Sequence, residues 1–278
     1  MRFGVQTGFN LIELVIVLVV LGIVVVAISP VLSKPFQAYE DLSRRTALVD
    51  AAQSALSQMA NDVRDAIPNT LRTNGANALE FMPIRLGGRY RYDPLPTNNA
   101  GLTPSAPDSA FQALGNIAAL PSGARVVVFN TGATQFYNAA INGSGGIISP
   151  LSTTVSVSGG NQINLSSAYQ FDASGNGSPG RRFYIANTPI SYVCDLTNNQ
   201  LLRIEGYNIA VAQPTNPAAS PLSGAPSQAV VSEYVTACNF NYIAGTNTRS
   251  GVLVLSMTLT LEGEIIELLQ QIHVSNVP

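Results

Sequence analysis

Residues 9–28, FNLIELVIVLVVLGIVVVAI, limit what this chain can become more than any other stretch. The twenty residues are dominated by Leu, Ile and Val, with Asn10 and Glu13 as the polar exceptions. As a helix rising about 1.5 Å per residue, the segment spans a bilayer core of roughly 30 Å. Arg2 is the only charged side chain before it, a short positive flank that keeps the N-terminus on the cytoplasmic side. The remainder of the chain is therefore expected to be exported.

Glu13 decides between three readings of this segment. A secretory signal peptide has a positive start, an apolar core and small residues at a cleavage site; Ala27-Ile28-Ser29 meets the last condition weakly, but the core is long and contains an acid. A plain membrane anchor fits the length and leaves Glu13 unexplained, at about 2.5–3.5 kcal/mol if the carboxylate sits deep in lipid. Cleavage between Gly8 and Phe9 is the third reading. It creates a positive α-amine on Phe9 and places Glu13 about one helical turn away, which gives the carboxylate a role.

The arrangement Gly8-Phe9, then NLIEL, then an apolar run ending at Pro30, resembles the class III signal and first helix of type IV pilins and type II secretion pseudopilins. Asn10 stands where that family commonly has Thr or Ser. The resemblance implies that a membrane-bound prepilin peptidase cuts after Gly8 and N-methylates Phe9. It also implies that Glu13 pairs with the terminal amine of a neighbouring subunit during assembly. The partners so implied are the peptidase, other major and minor pilin subunits, and the inner membrane before assembly. Physical chemistry agrees: the first turn of a helix has unpaired N–H groups and a positive dipole end, both favouring a nearby carboxylate. In a low-dielectric filament core an unpaired charge is costly, so Glu13 would act as a docking and register device.

The helical period continues past Pro30. Leu48, Ala52, Ala55, Leu56, Met59, Val63, Ala66 and Ile67 recur at spacings of three and four, while Arg44, Arg45, Asp50, Asn61, Asp62 and Asp65 lie off that stripe, which is the pattern of an amphipathic helix. Glu40–Arg44 and Asp41–Arg45 are i,i+4 pairs in the favourable orientation. Pro68-Asn69 supplies the stop. The expected division is a leader at 1–8 and a long helix at 9–67, of which 9–29 is membrane or filament core and 30–67 is amphipathic. A kink is available at Pro30. A β-rich head follows at 68–278, making the fold α+β, with the long helix packed on an antiparallel head as in the type IV pilins it resembles.

Within the head, short apolar segments between Gly, Pro and Asn predict strands at 78–84, 124–130, 182–186, 189–196 and 201–212. Leu253, Leu255, Met257, Leu259 and Leu261 alternate with smaller or polar residues, and EGE at 262–264 leads into IIELLQQIHV, predicting an antiparallel hairpin. Residues 94–123 and 212–228 are expected to be loops. Export places Cys194 and Cys238 in an oxidising compartment, and a disulfide is expected between them; two reduced core cysteines are the alternative. The motifs GGRYR at 87–91, PGRRFYI at 179–185, ISYVCD at 190–195 and the terminal GEIIELLQQIHVSNVP resemble minor pilin-like proteins of mannose-sensitive haemagglutinin (MSHA) pilus biogenesis. Minor pilins of other type IV pili and larger type II secretion pseudopilins share this layout. The resemblance implies a structural subunit acting in initiation or at the tip, located in the inner membrane with its head in the periplasm and on the pilus or cell surface after assembly.

A membrane-anchored periplasmic enzyme or adhesin is the rival class, so candidate chemistry matters. His273 is the single histidine, and a hydrolase triad or zinc site would have to be built around it without a second histidine or a cysteine cluster. GNGSPG at 175–180 matches G-x-G-x-x-G but lacks the preceding strand and following helix, and reads as a turn. Asp172 to Gly177 has oxygens at alternate positions like a calcium loop, yet Phe183 occupies the twelfth position. Arg85, Arg89, Tyr90, Arg91 and Tyr92 mix cations with aromatics as single-strand binders do. A net charge of −2 argues against a general affinity for nucleic acid or anionic lipid. No catalytic residue, cofactor, metal or small-molecule substrate is expected.

Overall fold

The computed structural model describes residues 10–74, 77–92, 101–104, 106–117, 119–172, 177–246 and 249–277. Its first element is a helix of 54 residues, α1 (Leu11–Arg64), about 81 Å long at 1.5 Å per residue. It runs unbroken through positions 30 and 35 despite both being proline. The helix has two characters along its length. Among the described residues Leu11–Ile28 is nowhere buried, whereas Leu48, Ala52, Ala55, Leu56, Met59, Ala60 and Val63 are all buried. The stripe read from the sequence is therefore the buried face.

The helix ends a few residues before the expected 67. Asp65 caps it with φ −87° and ψ 12°, its N–H still bonded to the Asn61 carbonyl while the Ala66 N–H bonds to that of Val63. Ala66 and Ile67 remain buried beyond the end, and Asn69 turns the chain with φ 60°. The two predicted i,i+4 ion pairs do not form. Arg44 instead pairs with Asp41, three residues back, and with Glu262 of the head at 2.8 Å. A tertiary partner and a neighbour one turn away together occupy the guanidinium, so Glu40 and Arg45 are left exposed.

The head contains β1 (Arg72–Thr73), β2 (Ala78–Phe81), β3 (Leu86–Arg89), β4 (Asp108–Gln112), β5 (Arg125–Val128), α2 (Ala133–Asn142), β6 (Val155–Ser158), β7 (Gln162–Tyr169), β8 (Arg182–Ala186), β9 (Ile190–Asp195), β10 (Gln200–Glu205), β11 (Ser227–Glu233), β12 (Val235–Ile243), β13 (Gly251–Leu261) and β14 (Glu264–Val274). The strands form four sheets with orders β1-β2-β9-β10-β11, β12-β13-β14, β3-β8-β5 and β4-β7-β6. Every named pairing is antiparallel. The molecule is thus α+β.

The buried half of α1 packs on the inner faces of β13 and β14 and on residues of β2, β9 and β12, forming one apolar cluster. Leu253, Leu255, Met257 and Leu259 point into it while their neighbours on β13 are half-exposed. The β13–β14 hairpin turns at Glu262 and Gly263, both at positive φ (48° and 89°), which matches the right-handed twist of its strands. A second cluster lies between the β3-β8-β5 and β4-β7-β6 sheets, where Phe111 packs edge-on against Tyr90 and Phe183 at 6.2 and 5.4 Å. Helix α2 covers a third cluster with Phe136 and Tyr137.

Three expectations for the head need correction. Residues 201–212 are strand only as far as Glu205; Gly206 has φ 90°, and a Cβ there would meet Pro226 at 2.5 Å, so the chain leaves the sheet. The loop at 94–123 contains β4, which pairs with β7. The loop at 212–228 gives way to β11 at Ser227. Helix α2 was not foreseen from the sequence. Its Gly132 N-cap makes no side-chain capping bond, although its αL C-cap at Gly143 is an ordinary stop signal.

Candidate functional site

The candidate site is the exposed half of α1 together with the contacts that fasten the other half to the head. Gly8 and Phe9 lie outside the described residues. Asn10 takes the N-cap position in an extended conformation without a side-chain capping bond, and its carbonyl accepts from the N–H groups of Glu13 and Leu14 at 3.0 and 3.2 Å. Glu13 therefore stands in the first turn, exposed, where the helix dipole favours an anion. From Leu11 to Ile28, fifteen large aliphatic side chains are at least 44% exposed. Burial of such a side chain contributes about 1.5–3 kcal/mol, so leaving them in water forgoes more than about 20 kcal/mol, above the 5–15 kcal/mol that holds a typical domain folded. This surface needs an apolar cover that the described residues of the head do not provide. Its mean hydropathy of 3.4 over 18 residues is compatible with a single-pass membrane anchor.

The other half of α1 is held by polar as well as apolar contacts. Asp62 Oδ2 accepts from Tyr192 Oη and Arg203 Nε, each at 2.7 Å. Arg203 Nη1 in turn donates to Glu205 Oε2 at 2.8 Å, and Arg85 pairs with the other Glu205 oxygen. The chain of charges thus runs from the helix across β9 and β10. Burial opposes ionisation of Glu205, but hydrogen bonds from Arg85 and Arg203 outweigh it and hold the carboxyl below its ordinary value. Burial and then the Asp62 carboxylate push the Tyr192 phenol up.

A second network lies deeper. Glu80 is fully buried, and Arg72 Nε donates to its Oε2 at 2.6 Å while Tyr207 Oη donates to its Oε1 at 3.0 Å. Tyr207 also shares a 2.6 Å hydrogen bond with Ser191 Oγ, and the Arg72 guanidinium lies 3.4 Å over the Tyr137 ring. Burial raises the Glu80 pKa despite the opposing Arg72 charge and the two hydrogen bonds. With its oxygens committed to these donors and no exposure, Glu80 is a clamp joining β1, β2 and the chain after β10.

Cys194 and Cys238 form the expected disulfide. Cys194 is on β9 and Cys238 on β12, so the bond joins two sheets that share no strand pairing. His273 is exposed on the outer face of β14 together with Glu267, Leu269 and Gln271, and it lines an open cavity of about 710 Å³ with Phe129 and Arg249. The Arg–Tyr cluster does not form one surface. Tyr90 is core, Arg85 is engaged by Glu205, and Tyr92 sits beneath Arg181 at 5.0 Å. Of the calcium-like loop, residues 173–176 lie outside the described residues; Asp172 is buried and accepts from the Gly177 N–H. Among the described residues, no three His, Cys, Asp or Glu side chains converge as metal ligands.

Sequence reading missed the Asp62–Arg203 and Arg72–Glu80 pairs. Asp62 carried one signal, lying at the edge of an apolar stripe. The others are brought together by tertiary packing, as across the sequence separation of 141 from Asp62 to Arg203. No protein-family model, curated protein or solved structure matches this chain.

Proposed function

We propose that this chain is a minor pilin-like structural subunit acting in the biogenesis, at initiation or at the tip, of an MSHA-type type IV pilus. In this reading prepilin peptidase removes residues 1–8 and N-methylates Phe9. The exposed half of α1 waits in the inner membrane and then moves into a filament core, where Glu13 meets the amine of a neighbouring subunit. The observation that carries the reading is the division of a single helix: one face of its last turns, from Leu48 to Val63, is buried against the head, and its apolar start, with Glu13 in the first turn, has no cover among the described residues. A membrane and then a bundle of like helices would supply the missing contacts in turn. The size of the head supports a low-abundance subunit, since a bulky head crowds a helical shaft.

The test is the intact mass and first residue of the protein recovered from cells with and without prepilin peptidase. A chain beginning at methylated Phe9 only when the peptidase is present supports the reading. A chain beginning at Met1, or after Ser29, in both strains overturns it and leaves an ordinary anchored or secreted protein.

A further inference from the structure

Strand β5 carries a cation in an otherwise apolar run, Ala124-Arg125-Val126-Val127-Val128, and the whole strand is buried. Arg125 is 3% exposed. Its Nε donates to the Ser149 carbonyl at 2.7 Å, while its Nη2 is buried without a hydrogen-bond partner. Each ion pair among the described residues joins other arginines to their acids, so no described carboxylate lies within ion-pairing distance of Arg125. A buried guanidinium without a counter-ion is costly. Desolvation here lowers its pKa to about 10.

The same residue forms part of the wall of two adjoining cavities of about 390 and 200 Å³, which also share Ser122, Gly123 and Leu151. The larger falls within the size range of small-ligand sites. Its lining includes two exposed aliphatic residues, Ile141 of α2 and Leu151, together with Ile209, Asn187 and Asn208. A carboxylate is the natural partner of a guanidinium, and the exposed aliphatic side chains suit a small apolar body.

We propose that this cavity binds the carboxylate of a small organic acid, with Arg125 as its counter-ion and the ligand body resting on Ile141, Leu151 and Ile209. The site is independent of α1 and of how the subunit assembles. Occupation would supply the charge that the fold leaves out and would give the head a ligand of its own.

The test uses the full chain in nanodiscs and ligand-observed NMR titration with three probes: N-acetylleucine, its uncharged analogue N-acetylleucinamide, and glucuronate. N-acetylleucine should bind saturably and at least about tenfold more tightly than the amide, the ratio expected for a charged hydrogen bond. Saturable binding of glucuronate at equal or higher affinity would assign the carboxylate to an acidic sugar at the same guanidinium. Arg125→Met should abolish the binding. Leu151→Glu, at an 80% exposed position where folding is not at risk, should abolish it as well by placing a competing carboxylate in the lining. The proposal is overturned if neither acid binds, if the amide binds as tightly as the acid, or if binding survives Leu151→Glu.

Discussion

Met59→Ala and Leu18→Ala remove comparable apolar side chains from the same helix, and their consequences for the head should differ severalfold. Met59 is fully buried in the cluster formed by α1, β13 and β14, whereas Leu18 is 60% exposed. Truncating Met59 deletes roughly three heavy atoms, worth about 0.8 kcal/mol each or about 2.4 kcal/mol in transfer free energy. Incomplete collapse of a void of up to roughly 70 Å³ adds up to about 1.7 kcal/mol at 24 cal/mol per Å³. Alanine's better helix propensity returns only a few tenths. The expected loss is about 2–4 kcal/mol for Met59→Ala and no more than about 0.5 kcal/mol for Leu18→Ala. With ten tyrosines and no tryptophan, urea unfolding of the full chain in micelles is read by tyrosine fluorescence and near-ultraviolet circular dichroism. A loss below about 1 kcal/mol at Met59, or an equal loss at both positions, would refute the view that only one half of α1 belongs to the head's core.

The remaining predictions concern the polar and covalent fastenings. Because burial raises Glu80's folded pKa above its unfolded value near 4.5, the unfolded state releases its proton first as pH rises, and stability falls between the two pKa values. The stability of Glu80→Gln minus that of the native chain should therefore increase with pH from about 4.5 upward; a flat or falling difference in urea midpoints would show that the Arg72 charge dominates. Asp62→Ala should lower stability by about 1–3 kcal/mol, since it removes the shared acceptor of Tyr192 and Arg203, and a thermal melt unchanged within error would assign helix docking to apolar contact alone. Replacing both cysteines by serine reopens a loop with a separation of 44 residues, worth at most about 4 kcal/mol on the chain-entropy model. An unchanged urea midpoint in the double variant would mean that the sheets hold their relation without the bond.

The parts of this molecule legible from sequence are those governed by local periodicity. A 3.6-residue repeat selects the buried face of α1 from Leu48 to Val63, and a two-residue alternation marks β13 before its partner is known. The turn at Glu262-Gly263 also follows from neighbouring residues alone. β4 was hidden because its five residues contain only one large apolar side chain, Phe111, and acquire a strand's identity by pairing with β7. The excess predicted at 206–212 arose because apolar residues continue after the sheet has ended at Gly206.

The sequence by itself determined the long helix with an acid in its first apolar turn, the change from helical to alternating periodicity, and two cysteines available to each other. Only the tertiary structure decided that the disulfide joins β9 to β12, that Asp62 meets Arg203, that Glu80 is clamped by Arg72 and Tyr207, and that Arg125 is buried with no acid beside it among the described residues. Periodicity is a property of neighbouring residues, read along one chain direction. Charge compensation and inter-sheet contact depend on which distant strands lie side by side, and only the folded packing specifies that.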